Sequence, residues 1–252
     1  MRKNFVIRIN YYEILDEIIR ETGNDKVLVK GLDLSSFKSV RDFATDIIAT
    51  ESRLDVLINN AGYAESFKSA KSADDIEMTM ATNHYGPFLL TNLLVDLLKK
   101  SGPSRVVIVA SSLYYLVKAD LENMNPVNVL PVFLYYASKS ANIMFSTELS
   151  KQLEGSNVTV NCLHPGLIDS GIWRNVPFPM TIPMGLLCKF FFKTPLEGAQ
   201  TTLYLAVSDE VNGVTGKYFS DCKEATLEPY VTNNRNCKIL WQQSAKIVKL
   251  DA

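Results

Sequence analysis

The short apolar runs of this chain constrain its fold more than any other feature. They cover residues 27–32, 56–58, 106–110, 158–162 and 217–219. β-Branched residues dominate most of them, and none alternates strictly between apolar and polar. A strand with one wet face must alternate. A strand in a parallel sheet need not, because the crossover connections lay helices over both faces. The stretches between the runs can supply those crossovers. Ile14, Leu15, Ile18 and Ile19 share one face of a helix that Gly23 can close as a C-terminal cap. A second helix is predicted over 88–100, where Lys99 and Lys100 suit the helix dipole and Gly102-Pro103 ends the pattern. Two more are predicted over 135–153 and 196–207. Strands alternating with helices imply right-handed βαβ units and a doubly wound, Rossmann-like α/β fold with a parallel sheet.

The chain has 252 residues and is 47% hydrophobic, which suits one domain over 1–252 with a full core. No repeat, low-complexity tract or Gly/Ser linker divides it. A formal net charge of −1 with scattered basic residues gives no footprint for nucleic acid. Cys162, Cys188, Cys222 and Cys237 lie far apart and away from histidine. No metal site or disulfide framework is expected, and a reduced, cytoplasmic setting is. The apolar stretch near the start is too short and interrupted for a signal peptide, and the one at 182–192 is well short of the ~20 residues that span a bilayer.

In folds of this class ligands bind beyond the carboxyl ends of the strands. Asn59-Asn60-Ala61-Gly62 follows the run at 56–58, Ser111-Ser112 follows 106–110, and His164-Pro165-Gly166 follows 158–162. Three strands thus bring amide, hydroxyl and small groups to one edge. Tyr135 and Lys139 are four residues apart and share a helix face, whereas Tyr136 is only three from the lysine. An ammonium beside a phenol favours the phenolate, so a tyrosine pKa lowered toward neutrality is expected. Such a pair can exchange a proton while a carbonyl and an alcohol interconvert.

Asn-Asn-Ala-Gly, Ser-Ser, Tyr-x-x-x-Lys and Pro-Gly, in this order and spacing, resemble the short-chain dehydrogenase/reductase family. The stretch Asn83-His84-Tyr85-Gly86-Pro87-Phe88, the lysine-threonine-proline segment at 193–195 and Gly216-Lys217-Tyr218-Phe219 resemble its retinol dehydrogenase branch, members 11 to 14 and their insect relatives. The match covers roughly 13–224. It implies an oxidoreductase that interconverts an apolar, retinoid-like alcohol and its aldehyde or ketone with NADP or NAD. Tyr135 would be the acid/base, and Lys139 would tune it and bind the nicotinamide ribose. Ser112 would hold the substrate oxygen, and Asn83 would position a water in the proton path. Asn59, Ala61 and Gly62 would line the adenosine side, Asp33 would contact adenine, and Pro165, Gly166, Ile168 and Ser170 would close over the carboxamide. Residues 171–193 would form a substrate lid, with 224–252 as a C-terminal extension. The resemblance also implies a homodimer through the helices at 88–100 and 135–153. Peripheral contact with the endoplasmic reticulum membrane stays open.

Relatives of this kind begin with a strand, a glycine-rich turn and a helix that hold the pyrophosphate. This sequence has no glycine before Gly23. A narrowed sheet, reduced stability and weak dinucleotide binding are therefore expected. Residues 5–9 could occupy one strand position and set Arg8 near the adenine ribose. Preference for NADP rests on family analogy.

Several positions admit a second reading. Asp33 before Leu34-Ser35-Ser36 also reads as a turn or helix cap. The apolar stretch 173–192 reads equally as a helix packed on the core or a membrane-facing surface. A Ser-His hydrolase built on Ser111 or Ser112 with His84 or His164 lacks the Gly-x-Ser-x-Gly elbow. Asn157-Val158-Thr159 matches a glycosylation sequon but falls on a predicted strand. The broader alternative to catalysis is a relative that binds a lipid or protein partner without turning anything over.

Overall fold

The structure, a computed structural model, describes residues 11–65, 70–126, 129–168 and 192–250. Residues 5–9 with Arg8, Ser170, and the proposed lid at 171–191 lie outside the described residues. The chain divides into two units, residues 1–32 and 33–252.

In the first unit, helix α1 spans Tyr11–Thr22. Gly23 takes φ +68° and donates its N–H to the Ile19 carbonyl at 2.8 Å, so the predicted glycine cap is present. The run at 27–32 is a correction: it joins no β-ladder among the described residues. In the doubly wound order its partner would be a preceding strand, and no described residue supplies one. A β-branched run becomes a strand only when a neighbour takes up its backbone hydrogen bonds.

The second unit carries the sheet. Its strands are β1 (Val56–Asn59), β2 (Ser104–Val109), β3 (Val158–His164), β4 (Tyr218–Ser220) and β5 (Lys223–Glu224), hydrogen-bonded in that order. The first three pairings are parallel and the last is antiparallel. Asp221 and Cys222, at φ +51° and +60°, make the tight turn that reverses β5. The parallel register pairs Asn59 with Ile108 and Val109 with Leu163, so the carboxyl ends of β1, β2 and β3 lie side by side.

Helices α2 (Phe37–Thr50), α3 (Gly86–Ser101), α4 (Pro131–Gln152), α5 (Pro195–Val207) and α6 (Asn234–Val248) pack around it. Ser36 caps α2, and Thr194 with Glu197 forms a reciprocal capping box at the start of α5. Val107, Val109 and Leu163 of the sheet meet Leu205 of α5, Val211 and Phe219 in one core cluster. Phe88, Phe145 and Trp241 stack at 4.9–5.8 Å between α3, α4 and α6.

This last contact covers part of one helix through which the resemblance implies a homodimer. Every residue from 137 to 146 of α4 is buried, so over those turns the helix has no open face for a second copy. Helix α6, within the C-terminal extension at 224–252, supplies covering side chains such as Trp241.

Among the described residues, no helix is long and apolar enough to cross a membrane. None of their His, Cys, Asp or Glu residues cluster in a way that could hold a metal ion.

Candidate active site

A cavity of about 690 Å³ opens at the carboxyl ends of β1, β2 and β3. Small-molecule sites commonly measure ~300–1,000 Å³. Tyr135, Lys139, Gly62, Pro165, Gly166 and Ile168 line it, all of them singled out from the sequence. The helical spacing of Tyr135 and Lys139 sets both on the cavity face of α4, next to the end of β2.

Four expected residues, Asn59, Ala61, Ser112 and Asp33, do not line the cavity, and strand periodicity explains the first two. Successive residues of an extended chain face opposite ways. Ile58, Asn60 and Gly62 therefore face the cavity. Asn59 faces away and donates its amide to Thr91 Oγ1 of α3 at 2.8 Å. Ala61 does not line the cavity either. At the end of β2, Val109, Ala110 and Ser111 all line the cavity, and Ser111 is extended at φ −160°, ψ 149°. Ser112 begins a 3₁₀ turn, Ser112–Leu116, and is not a lining residue. The serine beside the tyrosine is thus Ser111, whose hydroxyl also accepts from Leu113 N–H at 3.2 Å. Asn60 and Ser111 were missed, although counting back by two from Gly62 would have found Asn60. Asp33 also lies away from the cavity. Its Oδ1 accepts from Ser35 N–H at 2.9 Å and from Ser35 Oγ at 2.6 Å, which is the turn geometry.

The electrostatics reverse one expectation. Burial raises the Tyr135 pKa to about 12, and the nearby Ser111 hydroxyl only partly counters it. Lys139 does not lower it. Lys139 Nζ donates to the Val109 carbonyl at 3.1 Å and stands 5.5 Å from the centre of the tyrosine ring. Burial also lowers the Lys139 pKa to about 8. In a dry pocket the loss of hydration outweighs attraction at that separation, because each group is cheaper to keep neutral. The resting site holds a neutral phenol beside a weakly basic amine.

Asn83 sits behind the cavity wall, on the π-helical turn Ala81–Tyr85. Its Oδ1 accepts from Tyr63 N–H at 2.7 Å, and its Nδ2 donates to the Tyr63 carbonyl at 2.9 Å. The turn after Gly62 is held through both of its backbone groups. On the other side, Lys193 pairs with Asp221 and packs over Gly166, where a Cβ would meet its Cδ at 2.7 Å. Gly166 adopts φ +99°, a backbone conformation that favours glycine, whereas the flexible end of Lys193 could move aside.

A nicotinamide nucleotide fits the donor set on this wall. Lys139 Nζ, the Tyr135 hydroxyl and the Asn60 amide could meet its ribose and carboxamide, while Ile58, Val109 and Ile168 offer the ring an apolar bed.

The chain is similar to known proteins over most of its length. The family model described as short chain dehydrogenase matches residues 5–178. Human retinol dehydrogenase 14 is 45% identical over 232 residues, which is 91% of this chain and 69% of that protein. Human retinol dehydrogenase 11 is 41% identical over 238 residues, 94% of this chain and 74% of that one. The crystal structure of an uncharacterised protein from Mycobacterium paratuberculosis superposes with a TM-score of 0.71 at 28% identity, covering 93% of this chain and 80% of that one.

Proposed function

This chain belongs to the short-chain dehydrogenase family, as an oxidoreductase acting on CH–OH groups, and on that premise we propose that it interconverts an apolar alcohol and its carbonyl compound using NADP or NAD. The observation that carries the reading is the meeting of Tyr135, Lys139 and Ser111 in one cavity at the carboxyl ends of three parallel strands.

The cofactor, when bound, would supply or accept the hydride. The chain's own groups would handle the proton and the orientation. Tyr135 would donate its proton to a carbonyl oxygen in reduction and accept one from the alcohol in oxidation. Alcohol oxidation would first require the phenol to give up its own. Lys139 would hold ribose hydroxyls through its ammonium. Ser111 would orient the substrate oxygen toward Tyr135, the role the motif gives to Ser112. Asn83 would act from behind the wall.

Apolar side chains on the cavity, including Ile58, Leu113, Leu167 and Leu203, favour a hydrocarbon-rich substrate, and the relatives named as retinol dehydrogenases support a retinoid-like one. Such a substrate resides in membranes, so peripheral contact with one belongs to the same reading. Asp33 and Ser170 are proposed for the adenine and carboxamide ends. Asp33, Asn59 and Ala61 do not line this cavity, so binding is carried chiefly by the nicotinamide half and should be weak. NADP is favoured over NAD by the resemblance alone.

The test is fluorescence titration with NADPH and NADH, followed by reduction of long-chain and retinoid aldehydes. Turnover lost in Tyr135→Phe, with cofactor still bound, supports the assignment. Undiminished turnover in that variant defeats it, and cofactor binding with no turnover on any alcohol or aldehyde would favour a non-catalytic binding role.

A further inference from the structure

Helix α6 carries Ser244, fully buried, whose hydroxyl lies 2.8 Å from Nε2 of buried His84. Across the ring, Nδ1 lies 3.2 Å from Asn142 Oδ1, and Asn142 Nδ2 lies 2.9 Å from the Asn83 carbonyl. A carbonyl can only accept, so the Asn142 amide must turn its nitrogen to Asn83 and its oxygen to His84. His84 therefore carries its proton on Nδ1 and accepts the Ser244 proton at Nε2. Burial lowers the His84 pKa to about 4, which keeps the ring neutral and this single tautomer in place. The Asn83 amide is oriented by the same logic. Its oxygen takes the Tyr63 N–H, and its nitrogen serves the Tyr63 carbonyl at 2.9 Å and Ser138 Oγ at 3.1 Å. Ser138 then donates to the Tyr135 carbonyl at 2.7 Å.

Each proton in this series has one possible direction. The series starts at the C-terminal helix and ends on the backbones of Tyr63 and Tyr135, both next to the reacting groups. Docking of α6 does not need it, since Trp241 already stacks on Phe88 and Phe145. Buried polar groups that are fully satisfied select one arrangement where apolar packing would accept several.

We propose that Ser244, His84 and Asn142 are positioning residues, through which α6 fixes the π turn carrying Asn83 and thereby the cavity wall at Gly62–Tyr63 and the Tyr135 turn of α4. None of the three lines the cavity. The kinetic part of the test rests on the oxidoreductase reading, whereas the structural part does not.

The experiment compares Ser244→Ala with Leu240→Ala, which removes a buried apolar contact on the same helix without touching the series. Ser244→Ala should speed hydrogen exchange at the Tyr63 amide and lower kcat about tenfold with KM nearly unchanged, because small misplacements act on the chemical step. Leu240→Ala should lower the melting temperature at least as much while leaving Tyr63 exchange and kcat near wild type. If wild type shows no turnover, the oxidoreductase reading fails by itself, and Tyr63 exchange still decides this one. Tyr63 exchange unchanged in Ser244→Ala, or raised equally in both variants, overturns the proposal. Should Ser244→Ala not fold, Ser244→Cys, a weaker donor of similar size, should shift both readouts in the same direction by less, and no shift overturns it.

Discussion

Lys139 Nζ donates to the Val109 carbonyl at 3.1 Å, which ties the amine of α4 to the last residue of β2. That bond holds the lysine in a place where burial lowers its pKa to about 8 from 10.5. The consequence for stability has a definite sign. Between pH 8 and 10.5 the unfolded chain binds a proton at this lysine that the folded chain does not, so stability rises with pH across that window. A shift of this size corresponds to about 3 kcal/mol at most, at 1.36 kcal/mol per unit. Urea unfolding at pH 7.5 and pH 10 should show Lys139→Met more stable relative to wild type at the lower pH, with the gap closing at the higher. A gap that does not change with pH would mean that Lys139 is not desolvated as described.

The serines at the end of β2 can be separated by mutation. Ser111 lines the cavity beside Tyr135, while Ser112 starts the following 3₁₀ turn. Removing a hydroxyl that orients the reacting oxygen should lower kcat by about 10–100-fold. Ser111→Ala is expected to show that loss, and Ser112→Ala to stay within a fewfold of wild type. The opposite ranking would return the role to Ser112 and mean that the strand end is rotated in the working enzyme.

The two serines also show where the sequence was legible. The runs that became β1 to β4 could be read because buried parallel strands need β-branched residues on both faces, and no other element here does. Tyr135 and Lys139 could be paired because helix geometry makes residues four apart neighbours. Which of Asn59 or Asn60 faces the cavity depends on the phase of a two-residue period, and which of Ser111 or Ser112 does depends on where the extended chain enters the 3₁₀ turn. A motif contains both residues and leaves that phase open. The run at 27–32 has strand composition but no described partner, and pairing is not a property of one segment. The direction of the Tyr135 shift depends on burial, which spacing cannot report. Helix α6 was overlooked because its apolar residues, among them Cys237, Leu240, Trp241 and Val248, are interspersed with asparagine, glutamine, serine and lysine.

The buried circumference of α4 predicts the oligomeric state. With residues 137–146 covered by their own chain, pairing of two copies through α3 and α4 would first require α6 to leave. Light scattering on the eluting protein at micromolar concentration should give one copy, 28.2 kDa. A stable dimer would require another surface, and a dimer disrupted by substitutions at exposed positions of α4 would contradict the packing described.

Gly86, one turn beyond Asn83 at the start of α3, should tolerate no side chain. A Cβ there would stand 2.2 Å from the Leu34 carbonyl oxygen, and that atom belongs to backbone that cannot turn aside. Gly86→Ala should destabilise the protein by about 1–3 kcal/mol, the usual range for overpacking. Because the clash lies next to the π turn, kcat should fall as well. A thermal melt within a degree of wild type would show that the α2–α3 approach is looser than the structure has it.

His84 predicts the response to acid. Burial lowers its pKa to about 4 from 6.5, with the Asn142 hydrogen bond only partly opposing it. Between those values the unfolded chain is protonated at His84 and the folded chain is not, so stability falls as pH drops from 6.5 toward 4. The full loss is about 3 kcal/mol by the same conversion. His84→Gln cannot titrate. It should be less stable than wild type at pH 7, where it breaks the bonds to Asn142 and Ser244, yet lose less stability on acidification. Urea midpoints for both proteins at pH 7, 5.5 and 4.5 should therefore converge as the pH falls. Parallel lines would show that His84 does not titrate in this window.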